Sequence, residues 1–244
     1  MFKQCDQLKK QLDALRPLPR HTVKSLHEQL VLAWTYNSNA IEGNTLTLKE
    51  TKVVLEGITI GGKPMREHFE AINHKEAIDY VEDIVQQQEP LSERAIRTIH
   101  QLILKNIDDD NAGRYRTENV VIAGAEHTPP DHLHLPQHMH KLMAWYHSFS
   151  GHPVERAARL HTDFVKIHPF VDGNGRTARL LMNLDLMATG YLPVIIKAVD
   201  RLLYYEALDQ AHTQQDYSGF FALVARAEED ALQSYLNLLG KPHV

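Results

Sequence analysis

The chain predicts an all-α fold, a helical bundle with one short β-hairpin. Three observations carry this expectation. Apolar residues recur three and four apart through most of the 244 positions, the spacing that lines one face of a helix. Start and stop signals punctuate them: Thr47 and Ser92 stand ahead of apolar runs, while Pro17, Pro90, Gly43 and Gly190 follow others. Only Asn119-Val120-Val121-Ile122-Ala123-Gly124, rich in β-branched residues and bounded by turn residues, reads as a strand or hairpin.

Composition removes several function classes. A formal charge of −5 gives no basic footprint for nucleic acid. Cys5 is the single cysteine, so neither an intrachain disulfide nor a cysteine-ligated zinc is expected. No apolar run reaches membrane-spanning length, and the first residues lack a signal-peptide core. The expectation is a cytoplasmic protein that binds neither nucleic acid nor membrane, long enough for a substantial core.

Taken in order, residues 3–16 read as a short helix ended by Pro17 and Pro19. A stronger helix runs from Thr22 to about Ile41, with Leu26, Leu30 and Trp34 four apart on one face. Gly43-Asn44 stops it, and Thr47 with Glu50 forms a capping box for the next helix. Glu42 puts a negative charge at a helix C-terminus, where it opposes the dipole and favours an outside cation. Gly57 to Lys63 has P-loop spacing, but Pro64 replaces the metal-binding hydroxyl and no buried strand precedes it, so a loop is expected. Residues 64–87 read as helix, with Phe69, Ile72, Ala77, Tyr80, Val81 and Ile84 as candidate core. Ser92 caps a further helix through Ile96, Ile99, Leu102 and Ile103.

Asp108 to Gly113 is read as an acidic turn rather than a calcium loop, because Ala112 and Asn119 fill positions that need ligands. His127, His132, His134, His138 and His140 lack the paired spacing of zinc sites, and Pro130 and Pro136 scatter them. Met139, Leu142, Met143 and Trp145 mark another core helix, and Val154 to Ile167 the next, with His161 as a core histidine. After a turn at Gly190-Tyr191-Leu192-Pro193, the segment from Asp200 to Leu239 reads as largely helical.

Between these last helices lies the stretch that carries chemistry, His168-Pro169-Phe170-Val171-Asp172-Gly173-Asn174-Gly175-Arg176-Thr177-Ala178-Arg179. His168-Pro169 should end one helix. Asp172 to Gly175 should turn the chain, and Arg176 should open the next helix. Glycines allow a concave backbone whose N–H groups converge on an anion, and a helix N-terminus adds a positive dipole end. His168 is a base that titrates near neutral pH. Asp172 is a hard ligand suited to Mg²⁺ shared with phosphates. Arg176 and Arg179, three apart, offer forked donors to one side. The set reads as a phosphate cradle with a base beside it.

These twelve residues resemble the signature of the Fic (filamentation induced by cAMP) family, HPFxDGNGRxxR, with every defining position filled. The resemblance implies the Fic fold, with residues 1–90 as an N-terminal helical region and 91–240 as the core. It implies transfer of AMP from ATP to a hydroxyl side chain of a target protein. His168 would be the general base. Asp172 would hold Mg²⁺, or Mn²⁺ in its place, against the α- and β-phosphates. Gly173, Asn174 and Gly175 would form the anion nest, Arg176 would bind the phosphates, and Arg179 the γ-phosphate. The relative that moves a phosphate carries Lys where Gly175 stands, so Gly175 favours nucleotidyl transfer. Tyr204 and Tyr205 would wall the adenine and ribose. Some relatives place an asparagine where His212 aligns, which leaves base recognition open.

Ser38-Asn39-Ala40-Ile41-Glu42-Gly43-Asn44 resembles the family's inhibitory motif, a Ser or Thr followed four residues later by Glu and then Gly or Asn. It implies that Glu42 pairs bidentately with Arg179, helped by Ser38, and so excludes the γ-phosphate. The segment at about 119–128 resembles the flap over the active site, which pairs with an extended target segment. ATP and an unidentified target protein are therefore the implied partners, with self-association as a property of relatives. Removal of AMP, transfer of another phosphate-containing group, and a nucleotide-binding regulatory module without chemistry are the competing readings.

Overall fold

The computed structural model describes residues 1–239; position 240, the expected end of the core region, lies outside them. The described residues form α1 (Lys3–Ala14), α2 (Arg20–Ile41), α3 (Leu48–Leu55), α4 (Met65–Gln87), α5 (Glu93–Leu104), α6 (Leu135–Ser148), α7 (Pro153–Ile167), α8 (Asn174–Ala188), α9 (Arg201–Thr213) and α10 (Ser218–Leu239). Short 3-10 turns lead into α6 and α9.

The spine is α8. Twelve of its fifteen residues are buried, among them Arg176, Arg179, Asn183 and Asp185. A helix buried on every side needs neighbours all round, and α8 has them in α7, α4, α5 and α2. Two of its buried polar residues, Asn183 and Asp185, find partners around it. Asn183 exchanges hydrogen bonds with the backbone of Val194 at 2.8 and 2.9 Å. Asp185 accepts from Tyr146 and from Arg156 at 2.7–3.0 Å. The α7–α8 pair is the most extensive in the molecule, α10 backs α7 and α9, and α1 closes over α10. The main core joins residues on both sides of position 90, including Ile84 and Leu91.

The caps form as their chemistry dictates. Thr47 and Glu50 close a reciprocal capping box on α3, and the Ser92 hydroxyl accepts from Ala95 N at 3.2 Å on α5. Gly57 to Pro64 is a turn between α3 and α4 with no strand before it.

One expectation changes. The expected hairpin at 119–124 is irregular backbone with a single turn, Ala125 N donating to Ile122 O at 3.2 Å, and no strand occurs among the described residues. A strand needs a ladder partner, and none lies beside this one. The loop is instead tied at its base by Arg116, whose guanidinium donates to the carbonyls of His168 (2.9 Å), Glu118 (2.8 Å) and Pro130 (2.5 Å). The segment from Asp200 to Leu239 is largely helical, as expected, with α9 and α10 separated at residues 214–217. Gln215 takes φ +58°, and Asp216 Oδ1 accepts from Ser218 N at 2.9 Å, which starts α10 afresh.

Candidate active site

The site is built on the turn between α7 and α8. Pro169 cannot continue α7, and His168 leaves the helix in the left-handed region at φ +50°. Such a conformation costs a non-glycine residue on the order of 1–3 kcal/mol and persists only where surroundings fix it. Here they do. Arg116 Nε holds the His168 carbonyl. Asn174 reaches back to Phe170, accepting from its N–H at 3.0 Å and donating to its carbonyl at 2.8 Å. Phe170 is fully buried, its ring stacked on His100 with centroids 3.5 Å apart. Gly113 N–H donates to His100 Nδ1 at 2.9 Å, so the ring's proton sits on Nε2 and is given to the Asp172 carbonyl at 2.8 Å. Gly173 takes φ +75°, and a Cβ there would stand 3.2 Å from Ile103 Cγ2 and 3.3 Å from His100 Nε2. Only glycine satisfies both the angle and the space. The helix begins at Asn174, two residues before the expected Arg176.

His168 lies beside the N-terminus of α8. Burial drives its pKa down to about 4, against the pull of the Val165 carbonyl and with help from the Arg116 charge. It is therefore neutral near pH 7, below the near-neutral titration its residue type suggests. Nδ1 is the buried nitrogen, without a hydrogen-bond partner. Nε2 is left to meet a proton from the cleft. Burial works against ionisation of Asp172, but Arg176, the Gly173 N–H and Arg66 outweigh it and hold the carboxyl below its usual range.

The two arginines of α8 are in opposite states. Arg176 is 2% exposed, yet its Nε and Nη1 have no hydrogen-bond partner. Its nearest anions are Asp172 Oδ1 at 3.4 Å and Glu70 Oε1 at 3.6 Å. A buried guanidinium with idle donors is costly unless a ligand completes it. Arg179, equally buried, is fully engaged. Nε donates to Ser38 Oγ at 3.0 Å, Nη2 to Ser38 O at 2.8 Å and Glu42 Oε1 at 2.7 Å, and Nη1 to Tyr204 Oη at 3.2 Å. Glu42 thus engages Arg179 through one oxygen rather than the expected two, because Ser38 shares the fork. The Glu42 carboxylate also lies against Gly175, where a Cβ would collide with it.

Other expected residues fall differently. Tyr204 is 1% exposed and supports Arg179 from beneath, held in turn by His161 Nε2 at 3.1 Å. Tyr205 is exposed, its hydroxyl donating to the Ile41 carbonyl at 3.2 Å, which ties α9 to the end of α2. His212 turns inward, Nε2 meeting the Thr162 carbonyl at 2.9 Å, and burial lowers its pKa to about 4. No group of three or more metal-ligating side chains occurs among the described residues. A cavity of about 370 Å³ between α2 and α10 contains none of the motif residues. Sequence reasoning missed Arg66, Glu70, His100 and Arg116. Only the Arg66–Glu70 pair left a local signal, opposite charges four apart on a helix.

Comparison with known proteins agrees with this geometry. The model of the Fic/DOC family matches residues 90–186. "Protein adenylyltransferase Fic" of Nematostella vectensis is 39% identical over 238 residues, covering 95% of this chain and 55% of that protein. The Drosophila virilis protein of the same name is 40% identical over 205 residues, covering 82% and 42%. The chain thus spans about half the length of the curated relatives it matches. Among solved structures, a Fic domain containing signaling protein from Bacteroides thetaiotaomicron superposes with a TM-score of 0.89 at 29% identity, covering 99% of this chain and all of that one. Fic-1 (residues 134–508) of C. elegans gives 0.85 at 31% identity, covering 98% and 72%. With the signature assembled in space and this similarity along nearly its whole length, the chain belongs to the Fic/DOC family.

Proposed function

We propose that the protein is a protein adenylyltransferase that moves AMP from ATP to a hydroxyl of another protein and is restrained by Glu42. The observation that carries the reading is Arg176: a buried cation with idle donors in the first turn of α8, the helix that follows the His168 turn. A phosphate is the ligand whose charge and acceptors suit it. The names of the relatives supply the transferred group.

In this reading the target hydroxyl attacks the α-phosphorus and gives its proton to His168 Nε2. A new O–P bond forms, the bond from the α-phosphorus to the β-phosphate oxygen breaks, and pyrophosphate leaves. Arg176 and the Gly173–Gly175 backbone orient the phosphates, and Arg179, once free, holds the γ-phosphate. Asp172 fits a divalent cation shared with phosphates: it is ionised and its side chain is 43% exposed, and Mg²⁺ commonly takes one or two carboxylates beside nucleotide oxygens. The cation would supply charge neutralisation at the phosphates. Most of the acceleration is positioning and electrostatics. The base contributes about 10²–10⁴-fold. The exposed loop at 119–128 would present backbone to an extended target segment.

Restraint follows from Arg179. While Glu42 and Ser38 hold its fork, the γ-phosphate has no place there, and ATP that binds is misaligned for attack. A second reading, removal of AMP, is favoured by Glu42 Oε2, which makes no hydrogen bond in the described structure and stands where it could align a water.

Wild type, Glu42→Gly and the Glu42→Gly/His168→Ala double variant, incubated with ATP and Mg²⁺, test these claims by mass spectrometry of the protein and of lysate proteins. Glu42→Gly should add one AMP to itself or to targets well beyond wild type. The double variant should lose this by about 10²–10⁴-fold while still binding ATP. Equal labelling by wild type and Glu42→Gly removes the restraint. Labelling that survives loss of His168 removes the proposed base. Nucleotide binding by Glu42→Gly without any transfer favours a regulatory module, and loss of AMP from a pre-modified protein favours the reverse reaction.

A further inference from the structure

Arg66 belongs neither to the twelve-residue signature nor to the Ser38–Asn44 segment, yet it reaches the signature's carboxylate. From the first turn of α4, its Nη2 donates to Asp172 Oδ2 at 2.6 Å. Its Nε donates to Glu70 Oε1 at 3.2 Å. The same Glu70 oxygen lies 3.6 Å from Arg176 Nη1, and Arg176 Nη2 lies 3.4 Å from Asp172 Oδ1. Four charges of alternating sign, Asp172, Arg66, Glu70 and Arg176, therefore close a ring at the mouth of the site. Asn44, two residues beyond Glu42, donates to the other Glu70 oxygen at 2.8 Å and anchors the ring to the restraining segment.

We propose that Arg66 is a displaceable counter-cation for Asp172, holding the carboxylate when no divalent metal is present and yielding it to the metal that arrives with nucleotide. This rests on the reading of Asp172 given above. The geometry suits a placeholder rather than a lock. The Arg66 and Asp172 side chains are 57% and 43% exposed, whereas Glu70, the anchor, is 12% exposed. Ion pairs this exposed hold weakly, so a hard divalent cation with phosphate oxygens to share can take the carboxylate. Without either cation, only Arg176, 3.4 Å away, would offset Asp172, and the carboxylate would repel an incoming triphosphate more strongly. Arg66 thus lets metal-free ATP settle in the cradle, while metal and guanidinium compete for one carboxylate.

Isothermal calorimetry of ATP binding, in EDTA and in excess Mg²⁺, tests this on the full chain as wild type, Arg66→Ala and Arg66→Lys. Arg66→Ala should weaken metal-free ATP binding by about fivefold, the upper worth of an exposed pair, and leave Mg²⁺–ATP binding unchanged or tighter. The gain in affinity from metal should therefore grow about fivefold. Arg66→Lys keeps the charge but cannot fork to Glu70 and Asp172 together, and should fall between the two. Equal weakening with and without metal would mean that Arg66 touches phosphate itself and overturns the proposal. So would unchanged affinities in both conditions. Failure of wild type to bind ATP in either condition would instead overturn the nucleotide reading, and this inference with it.

Discussion

In the proposed reading Arg179 decides whether the cradle is open, and its environment is lopsided in a way that would make the decision reversible. Burial disfavours its charge, and Glu42 and Tyr204 beside it raise its pKa all the same. Of its partners, only Glu42 is both charged and part-exposed, with a third of its side chain reaching solvent. Removing Glu42 leaves Ser38 and Tyr204 to keep the guanidinium in place, so release need not mean collapse. A charge-assisted hydrogen bond is roughly twice as strong as a neutral one, and bonds to charged groups contribute about 1.5–3 kcal/mol. Glu42→Gln keeps the shape and one acceptor but removes the charge. It should therefore raise AMP labelling by about fivefold, above wild type and below Glu42→Gly, since about 1 kcal/mol of restraint is lost. Labelling time courses of the three proteins at one ATP concentration check the order. Glu42→Gln indistinguishable from wild type would show that bulk against Gly175, not charge, does the excluding. The identities of Ser38, Glu42 and Arg179 were legible in the chain through two short motifs. The support beneath them, Tyr204 and His161, was not, because those contacts join residues 25 and 43 positions apart and leave no local pattern.

At the scale of elements, the loop between α5 and α6 carries the clearest functional consequence. Its backbone is irregular and unlaced at 120–122: Val121 is 87% exposed, and its N–H has no partner among the described residues. Arg116 closes the base of the loop with three carbonyl contacts, leaving its middle free to accept a strand from outside. Val121→Pro removes the donor and fixes φ without touching the cradle. In a Glu42→Gly background it should lower labelling of lysate proteins by about fivefold, the worth of one hydrogen bond, and leave ATP affinity unchanged. Undiminished labelling would mean that targets do not pair with this loop. The helices themselves were readable because periodicity and caps are local, as the Thr47–Glu50 box on α3 illustrates. The loop was misread because β-branched residues report a preference for extended backbone, whereas a ladder needs a second strand, which none of the described residues provides. The break at 214–217 within the largely helical last segment has no comparable local signal: Gln215 in the left-handed region is a turn made by a residue type that does not announce it.

Across the whole molecule, the buried histidines set a pH optimum for stability. Burial lowers the pKa of His100, His168 and His212 to about 4, and pushes those of fully buried His74 and His161 well down. An unfolded chain protonates the same imidazoles near pH 6.5. Between about pH 6.5 and about pH 4 the unfolded state therefore binds more protons, and stability rises with pH by up to ~1.4 kcal/mol per unit for each. Glu228 acts in the opposite sense. It is fully buried on α10, its Oε1 accepts from Leu192 N at 3.0 Å, its Oε2 has no partner, and burial raises its pKa to about 8. The folded state keeps a proton that the unfolded carboxyl gives up in the ordinary carboxylate range, so this contribution is lost as pH climbs toward about 8. Five imidazoles outweigh one carboxyl below about pH 6.5, and above it the carboxyl acts alone. Urea midpoints followed by circular dichroism should therefore climb from pH 4.5 to a maximum near about pH 6.5 and decline toward pH 8. Glu228→Gln, which has no proton to lose, should flatten the decline while leaving the acid limb intact. A wild-type midpoint that keeps rising to pH 8 would mean that Glu228 is ionised inside the fold and that some cation compensates it there, for which Lys9 is the nearest candidate.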